Sequence, residues 1–117
     1  MLGHIGFYVD NLQESDKFYR PLLKTIELEV IFEVPQCVAY GKNGNPYFEI
    51  YTGKPKSSPI HIAFRAKSRE QVDEFHEIGL TLGAKDNGAP DVRKWEWFQY
   101  YACFIIDPNG HNLEALF

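Results

Sequence analysis

The chain repeats itself. Placing its second half under its first sets His61-Ile62-Ala63-Phe64 beneath His4-Ile5-Gly6-Phe7. The same displacement of 57 positions sets Asp73 beneath Asp16 and Phe75 beneath Phe18. Each half then ends on a run with a central glutamate, Tyr47-Phe48-Glu49-Ile50-Tyr51 and Asn112-Leu113-Glu114-Ala115-Leu116. Those glutamates are 65 positions apart, so the second half holds eight extra residues before its last run. A duplication of this kind restricts the fold to two copies of one unit. It also places one His and one Glu at equivalent points of each copy, a natural source of symmetric metal ligands.

The hydrophobic pattern gives the unit its content. Residues 4–10 alternate as a strand, and Leu12, Phe18, Tyr19, Leu22 and Leu23 form a helical stripe after Asn11, with Pro21 expected to end or kink that helix near Arg20. Glu27–Glu33 and Cys37–Tyr40 read as strands. The cluster Gly41-Lys42-Asn43-Gly44-Asn45-Pro46 joins the latter to Tyr47–Tyr51 as a hairpin. Gly53–Pro59 is a Pro/Ser/Lys linker, so the modules are residues 1–53 and 59–117 of one domain. In the second module, Ile60–Ala66 is a strand. Ser68 caps a helix over Arg69–Leu82 that turns Val72, Phe75, Ile78, Gly79 and Leu82 inward, with Gly83 ending it. Ala84–Lys94 is rich in loop signals, Gln99–Ile106 and His111–Phe117 are strands, and Asp107-Pro108-Asn109-Gly110 is a turn. Each half reads β-α-β-β-β, with the strand after the second helix the weakest. The fold class is α+β.

Composition narrows the partners. A chain of 117 residues with a formal charge of −4 gives no electrostatic reason to bind nucleic acid or anionic membranes. No stretch approaches the roughly 20 apolar residues that span a bilayer. Met1-Leu2-Gly3-His4 runs into the first strand without a secretory signal, so a cytoplasmic location is expected. Cys37 and Cys103 lie in apolar runs without CxxC spacing and are expected to be buried, reduced thiols.

Alternate residues of a strand show opposite faces. His4, Gly6 and Tyr8 oppose Ile5, Phe7 and Val9, while His61, Ala63 and Arg65 oppose Ile62 and Phe64. Tyr47, Glu49 and Tyr51 oppose Phe48 and Ile50, while Asn112, Glu114 and Leu116 oppose Leu113 and Ala115. All four candidate ligands fall on the less aliphatic face, away from the side where helices pack. Taken singly, a strand His or Glu is most often structural or solvated. Four that share a face and pair under the repeat point to a divalent metal, with Zn or Ni first and Fe, Mn or Co as alternatives. His76 is expected on a solvated helix face and His111 at a rim. Arg65 shares a face with His61 and is the leading cation for an anionic substrate, ahead of Arg20, Arg93 and Lys94. The segment Arg93–Tyr101 supplies Trp95, Trp97 and Tyr101 as candidate substrate-lining or interface aromatics, with Tyr47 and Tyr51 nearer the ligands.

In His4-Ile5-Gly6-Phe7-Tyr8-Val9-Asp10, Phe48-Glu49-Ile50, His61-Ile62-Ala63-Phe64 and Asp107-Pro108-Asn109-Gly110-His111-Asn112-Leu113-Glu114 the chain resembles the vicinal-oxygen-chelate superfamily of glyoxalase I, fosfomycin- and bleomycin-resistance proteins and extradiol dioxygenases. The resemblance covers essentially the whole chain. It implies paired βαβββ modules in an incomplete barrel around a central site, homodimers, and a small-molecule substrate. It implies metal ligation by His4, Glu49, His61 and Glu114, a metal-stabilised enediolate, and Glu114 or Glu49 as proton shuttle. That is a lyase or isomerase of glyoxalase I type. A His4, His61 and Glu114 triad would instead suit a fosfomycin-type transferase or a dioxygenase. Bleomycin-resistance-like proteins bind drug without metal, and Glu49 tilts the comparison toward glyoxalase chemistry.

Overall fold

The computed structural model describes residues 1–117, which divide into two compact units, Met1–Ser58 and Pro59–Phe117. The first unit runs β1 (Ile5–Tyr8), α1 (Leu12–Lys24), β2 (Glu29–Val34), β3 (Cys37–Lys42) and β4 (Asn45–Tyr51). The second runs β5 (His61–Arg65), α2 (Arg69–Thr81), β6 (Lys85–Lys94), β7 (Gln99–Ile106) and β8 (Asn112–Leu116). The sheets are ordered β1-β4-β3-β2 and β5-β8-β7-β6, so each is open and each follows the β-α-β-β-β pattern of the repeat. The first strand of each unit pairs in parallel with the last, while the other pairs are antiparallel. No helix is long and apolar enough to cross a membrane.

Local chemistry sets the element ends. Asn11 accepts from the Glu14 N–H at 3.0 Å and Ser68 from the Gln71 N–H at 3.2 Å, capping the two helices. Asn43 and Gly44 take φ of 53° and 78°, the paired positive angles of a two-residue hairpin turn between β3 and β4. Leu82 caps α2, which stops at Thr81, and Gly83 follows at φ 99°.

Four sequence expectations are corrected. Pro21 neither ends nor breaks α1, which continues to Lys24. Pro21 and Lys17, whose carbonyl loses its helical partner, face solvent, while Phe18, Tyr19, Leu22 and Leu23 hold both sides of the proline in the core. Residues 85–94, read as loop-rich, are strand throughout, so the strand that the repeat called for after α2 runs ten residues. The loop signals Asn87-Gly88-Ala89-Pro90 mark irregularities in its register against β7, between Asp86 and Asp91. His76 is only 13% exposed at its side chain and pairs with Asp86 at 2.9 Å, joining α2 to the start of β6. His111 is fully buried, and its Nδ1 accepts from the Ile60 N–H at 3.1 Å.

Each core lies between a sheet and its own helix. In the first unit Phe7, Tyr19, Tyr40 and Phe48 form a ring cluster, with Tyr19 and Phe48 centroids 5.0 Å apart. The Tyr40 hydroxyl donates to Asp16 on α1 at 2.6 Å, so its phenol is held well above the usual range, first by burial and then by that hydrogen bond. In the second unit fully buried Phe75 and Val72 of α2 meet the sheet, and Phe64 lies 6.1 Å from Phe75.

Cys37 and Cys103 are buried free thiols. Burial pushes Cys103 from its ordinary 9.0 up to about 11. An unfolded chain ionises this thiol first as pH rises, so its contribution to stability is full below pH 9 and lost toward pH 11. Wild-type protein is therefore expected to lose more urea resistance over that interval than Cys103→Ala, measured as the unfolding midpoint. Equal losses would show that this thiol is not the cause.

Candidate metal and ligand site

In the first unit the parallel register sets Gly6 beside Glu49, which brings His4, just ahead of β1, to the same side. His4 Nε2 lies 3.7 Å from Glu49 Oε2, and Glu49 is buried. Tyr51, two residues along β4 on the same face, donates its hydroxyl to that same Glu49 oxygen. Its ring lies over Gly6, where an added Cβ would meet Tyr51 Cε2 at 2.6 Å, so any larger residue displaces the ring. Burial, followed by the Glu49 hydrogen bond, holds the Tyr51 phenol well above its ordinary range and keeps it a donor. Cys37 pairs with Tyr51 across β3 and β4, and burial and the Glu49 charge raise its thiol as well.

The second unit repeats the pair with tighter geometry. Ala63 is registered with Glu114, and His61 Nε2 lies 3.0 Å from Glu114 Oε2. The other ring nitrogen, Nδ1, is 3.1 Å from the Asn112 carbonyl, which can only accept, so Nδ1 carries the proton. In a neutral ring Nε2 is then an acceptor facing a carboxylate oxygen, and a proton or a metal cation must lie between them. The remaining oxygen, Glu114 Oε1, is buried and has no hydrogen-bond partner. An imidazole fixed through its far nitrogen to a carbonyl, beside a carboxylate with an unsatisfied oxygen, is a donor set that fits a divalent ion. No group of three His, Cys, Asp or Glu side chains that could hold an ion is gathered; each unit brings together one His and one Glu.

The same side of the second sheet holds a cavity of about 540 Å³. Arg65 and Glu114 line it with Trp95, Phe98, Tyr100 and Phe117. Arg65 and Trp95, substrate-lining candidates in the sequence, are both among its lining residues. Trp97 is 88% exposed and outside this lining. Tyr101 lies on the other face, where its hydroxyl donates to Asp73 of α2 at 2.6 Å and Arg69 sits over its ring, so its substrate-lining role is corrected to a structural one. Tyr47 is on the Glu49 face of β4 and 46% exposed. Phe98 and Tyr100 belong to the same aromatic segment, Arg93–Tyr101, whose rings were candidates for lining a substrate mouth. The signal for Tyr100 was parity, because Phe104 is registered with Glu114 and Ala102 with Leu116, so even-numbered residues of β7 share the Glu114 face.

The site and the duplicated sheets define a class. The chain belongs to the glyoxalase/bleomycin resistance protein/dioxygenase superfamily, whose family model matches residues 1–115. It is similar to a glyoxalase/bleomycin resistance protein of Albidiferax ferrireducens T118, with a TM-score of 0.88 and 29% identity over 99% of this chain and 98% of that one. It is 24% identical to the phenazine antibiotic resistance protein EhpR of Enterobacter agglomerans, over 92% of this chain and 84% of that protein. The lactoylglutathione lyase of Agrobacterium tumefaciens shares the fold, with a TM-score of 0.71 and 20% identity over 99% of this chain and 92% of that one.

Proposed function

We propose that the chain is a divalent-metal-dependent lyase or isomerase of glyoxalase type, acting as a cytoplasmic homodimer on a small substrate with vicinal oxygens. The observation that carries this reading is the His61–Glu114 pair, with Nδ1 tied to a carbonyl, Nε2 at 3.0 Å from the carboxylate, and one buried oxygen unsatisfied. His4, Glu49, His61 and Glu114 would hold the ion, with Zn or Ni first and Fe, Mn or Co next. The second pair of donors comes from the other unit, of the same chain or of a second copy. When bound, the ion supplies Lewis-acid stabilisation to negative charge developing on the substrate oxygens. Glu114 and Glu49 move a proton between neighbouring carbons. Tyr51 positions Glu49 through its hydrogen bond.

The cavity beside Glu114 favours a second reading, a binding protein that sequesters an aromatic drug without turning it over. Similarity to a protein described as conferring phenazine antibiotic resistance lends it support. The two readings part in heavy water. A lyase loaded with Zn or Ni is expected to convert the hemithioacetal of a small dicarbonyl and a thiol to a thioester and to introduce deuterium at the neighbouring carbon, the former carbonyl carbon that receives the proton. Saturable binding of aromatic compounds, with neither thioester nor deuterium formed across the five metals and several thiols, would overturn the lyase reading and leave the binding protein.

A further inference from the structure

The cavity of the second unit presents three kinds of group that one ligand satisfies together. The first is a wall of rings. Phe98 and Tyr100 have centroids 5.8 Å apart at an interplanar angle of 31°. The Trp95 indole N–H donates to the Tyr100 hydroxyl at 3.4 Å, and the Trp95 backbone N–H donates to the Phe98 carbonyl at 2.9 Å. One hairpin end thus holds all three rings, although Trp95 is 64% and Phe98 58% exposed. Large rings held by hydrogen bonds yet left in water form a stacking surface without its partner. The second group is the Arg65 guanidinium, which lines the cavity and has neither an ion pair nor a hydrogen bond. The third is Glu114 Oε1, buried, lining the same cavity and lacking a donor.

Each group asks for a different piece of ligand. The rings ask for a planar π-surface. The planar fork of Arg65 matches a carboxylate through two parallel hydrogen bonds. The orphaned oxygen of Glu114 asks for a hydroxyl or N–H, because a buried acceptor left unmet costs the full penalty of its lost hydration. The volume falls within the range of small-molecule sites, roughly 300–1,000 Å³. We propose that this cavity binds a planar aromatic acid with a hydroxyl next to its carboxyl group. The rings of Trp95, Phe98 and Tyr100 take its flat face, Arg65 its carboxylate, and Glu114 its hydroxyl. The inference rests on the ligand-face reading under the proposed function and names what that face takes, while its contacts do not require the ion.

Calorimetric titration of EDTA-treated protein with an ortho-hydroxynaphthoate tests it. Saturable binding is expected, with naphthol, which lacks the carboxylate, and cyclohexanecarboxylate, which lacks the rings, each weaker by roughly tenfold or more. Arg65→Gln is expected to weaken the hydroxynaphthoate by roughly tenfold and leave naphthol unchanged, a split that misfolding does not produce. Both tryptophans of the chain lie at this hairpin end, so quenching of their fluorescence locates the ligand. No saturable binding, naphthol binding as tightly as the acid, or an unaltered Arg65→Gln variant would each overturn the inference. Because the titration excludes metal, its failure leaves the metal reading standing. Binding by a protein that takes up no metal would sustain this inference while the metal reading fails.

Discussion

Glu114→Gln is expected to abolish the thermal stabilisation that Zn or Ni gives the wild-type protein while leaving the metal-free protein at least as stable. Without metal a proton must lie between the carboxylate and His61 Nε2, 3.0 Å apart, and the second carboxylate oxygen is buried without a donor. An amide needs no such proton, since its NH2 can donate to Nε2. It also removes an anionic ligand. An ion present at about a hundred times its dissociation constant stabilises the native state by about 2.7 kcal/mol. Wild-type protein is therefore expected to melt several degrees higher with metal than with EDTA, and Glu114→Gln equally in both. If Glu114 is also the proton shuttle, turnover falls by roughly 10²–10⁴-fold. A metal-dependent shift of wild-type size in Glu114→Gln would remove Glu114 from the ligand set.

The second large effect is structural. Phe75→Ala is expected to cost about 3–5 kcal/mol, because Phe75 is fully buried where α2 meets its sheet, and alanine leaves a ring-sized void. Phe64, 6.1 Å away, is already seated and can fill only part of it. A total stability of about 5–15 kcal/mol makes this a major fraction. Urea unfolding monitored by circular dichroism reads it as a lower midpoint at unchanged slope. A loss under about 1 kcal/mol would show that the helix is not held by this ring.

The repeat made most of this architecture legible before any coordinates. Two equivalent units, a helix after each first strand, the hairpin over Asn43 and Gly44, and the common face of His61, Arg65 and Glu114 follow from period and parity. The failures share a cause, because a local signal met a nonlocal constraint. Pro21 reads as a helix end, yet buried Phe18, Tyr19, Leu22 and Leu23 carry α1 through it. Asn87-Gly88-Ala89-Pro90 reads as a loop, yet pairing with β7 absorbs those residues as register irregularities. His111 reads as a rim residue because it follows a glycine turn, and only its link to Ile60, 51 positions away, reveals that it is structural. Tyr101 was placed among the ligand aromatics by proximity in sequence, but strand parity sends it to Asp73 and brings Tyr100 to the cavity instead. The partner of Glu49 was also beyond sequence, since the Tyr51 ring reaches that carboxylate because Gly6 on the neighbouring strand leaves room for it.

If the duplicated His–Glu pairs hold a divalent ion as proposed, purified protein carries it. Metal content by mass spectrometry, on protein purified without an affinity tag, tests this most directly when wild type is compared with Glu49→Gln and His61→Ala. About one ion per chain is expected in the wild type and loss in both variants, because the donors of both repeats are needed for a four-ligand shell. No metal in any form, even after Zn, Ni, Mn or Fe is supplied, would contradict it.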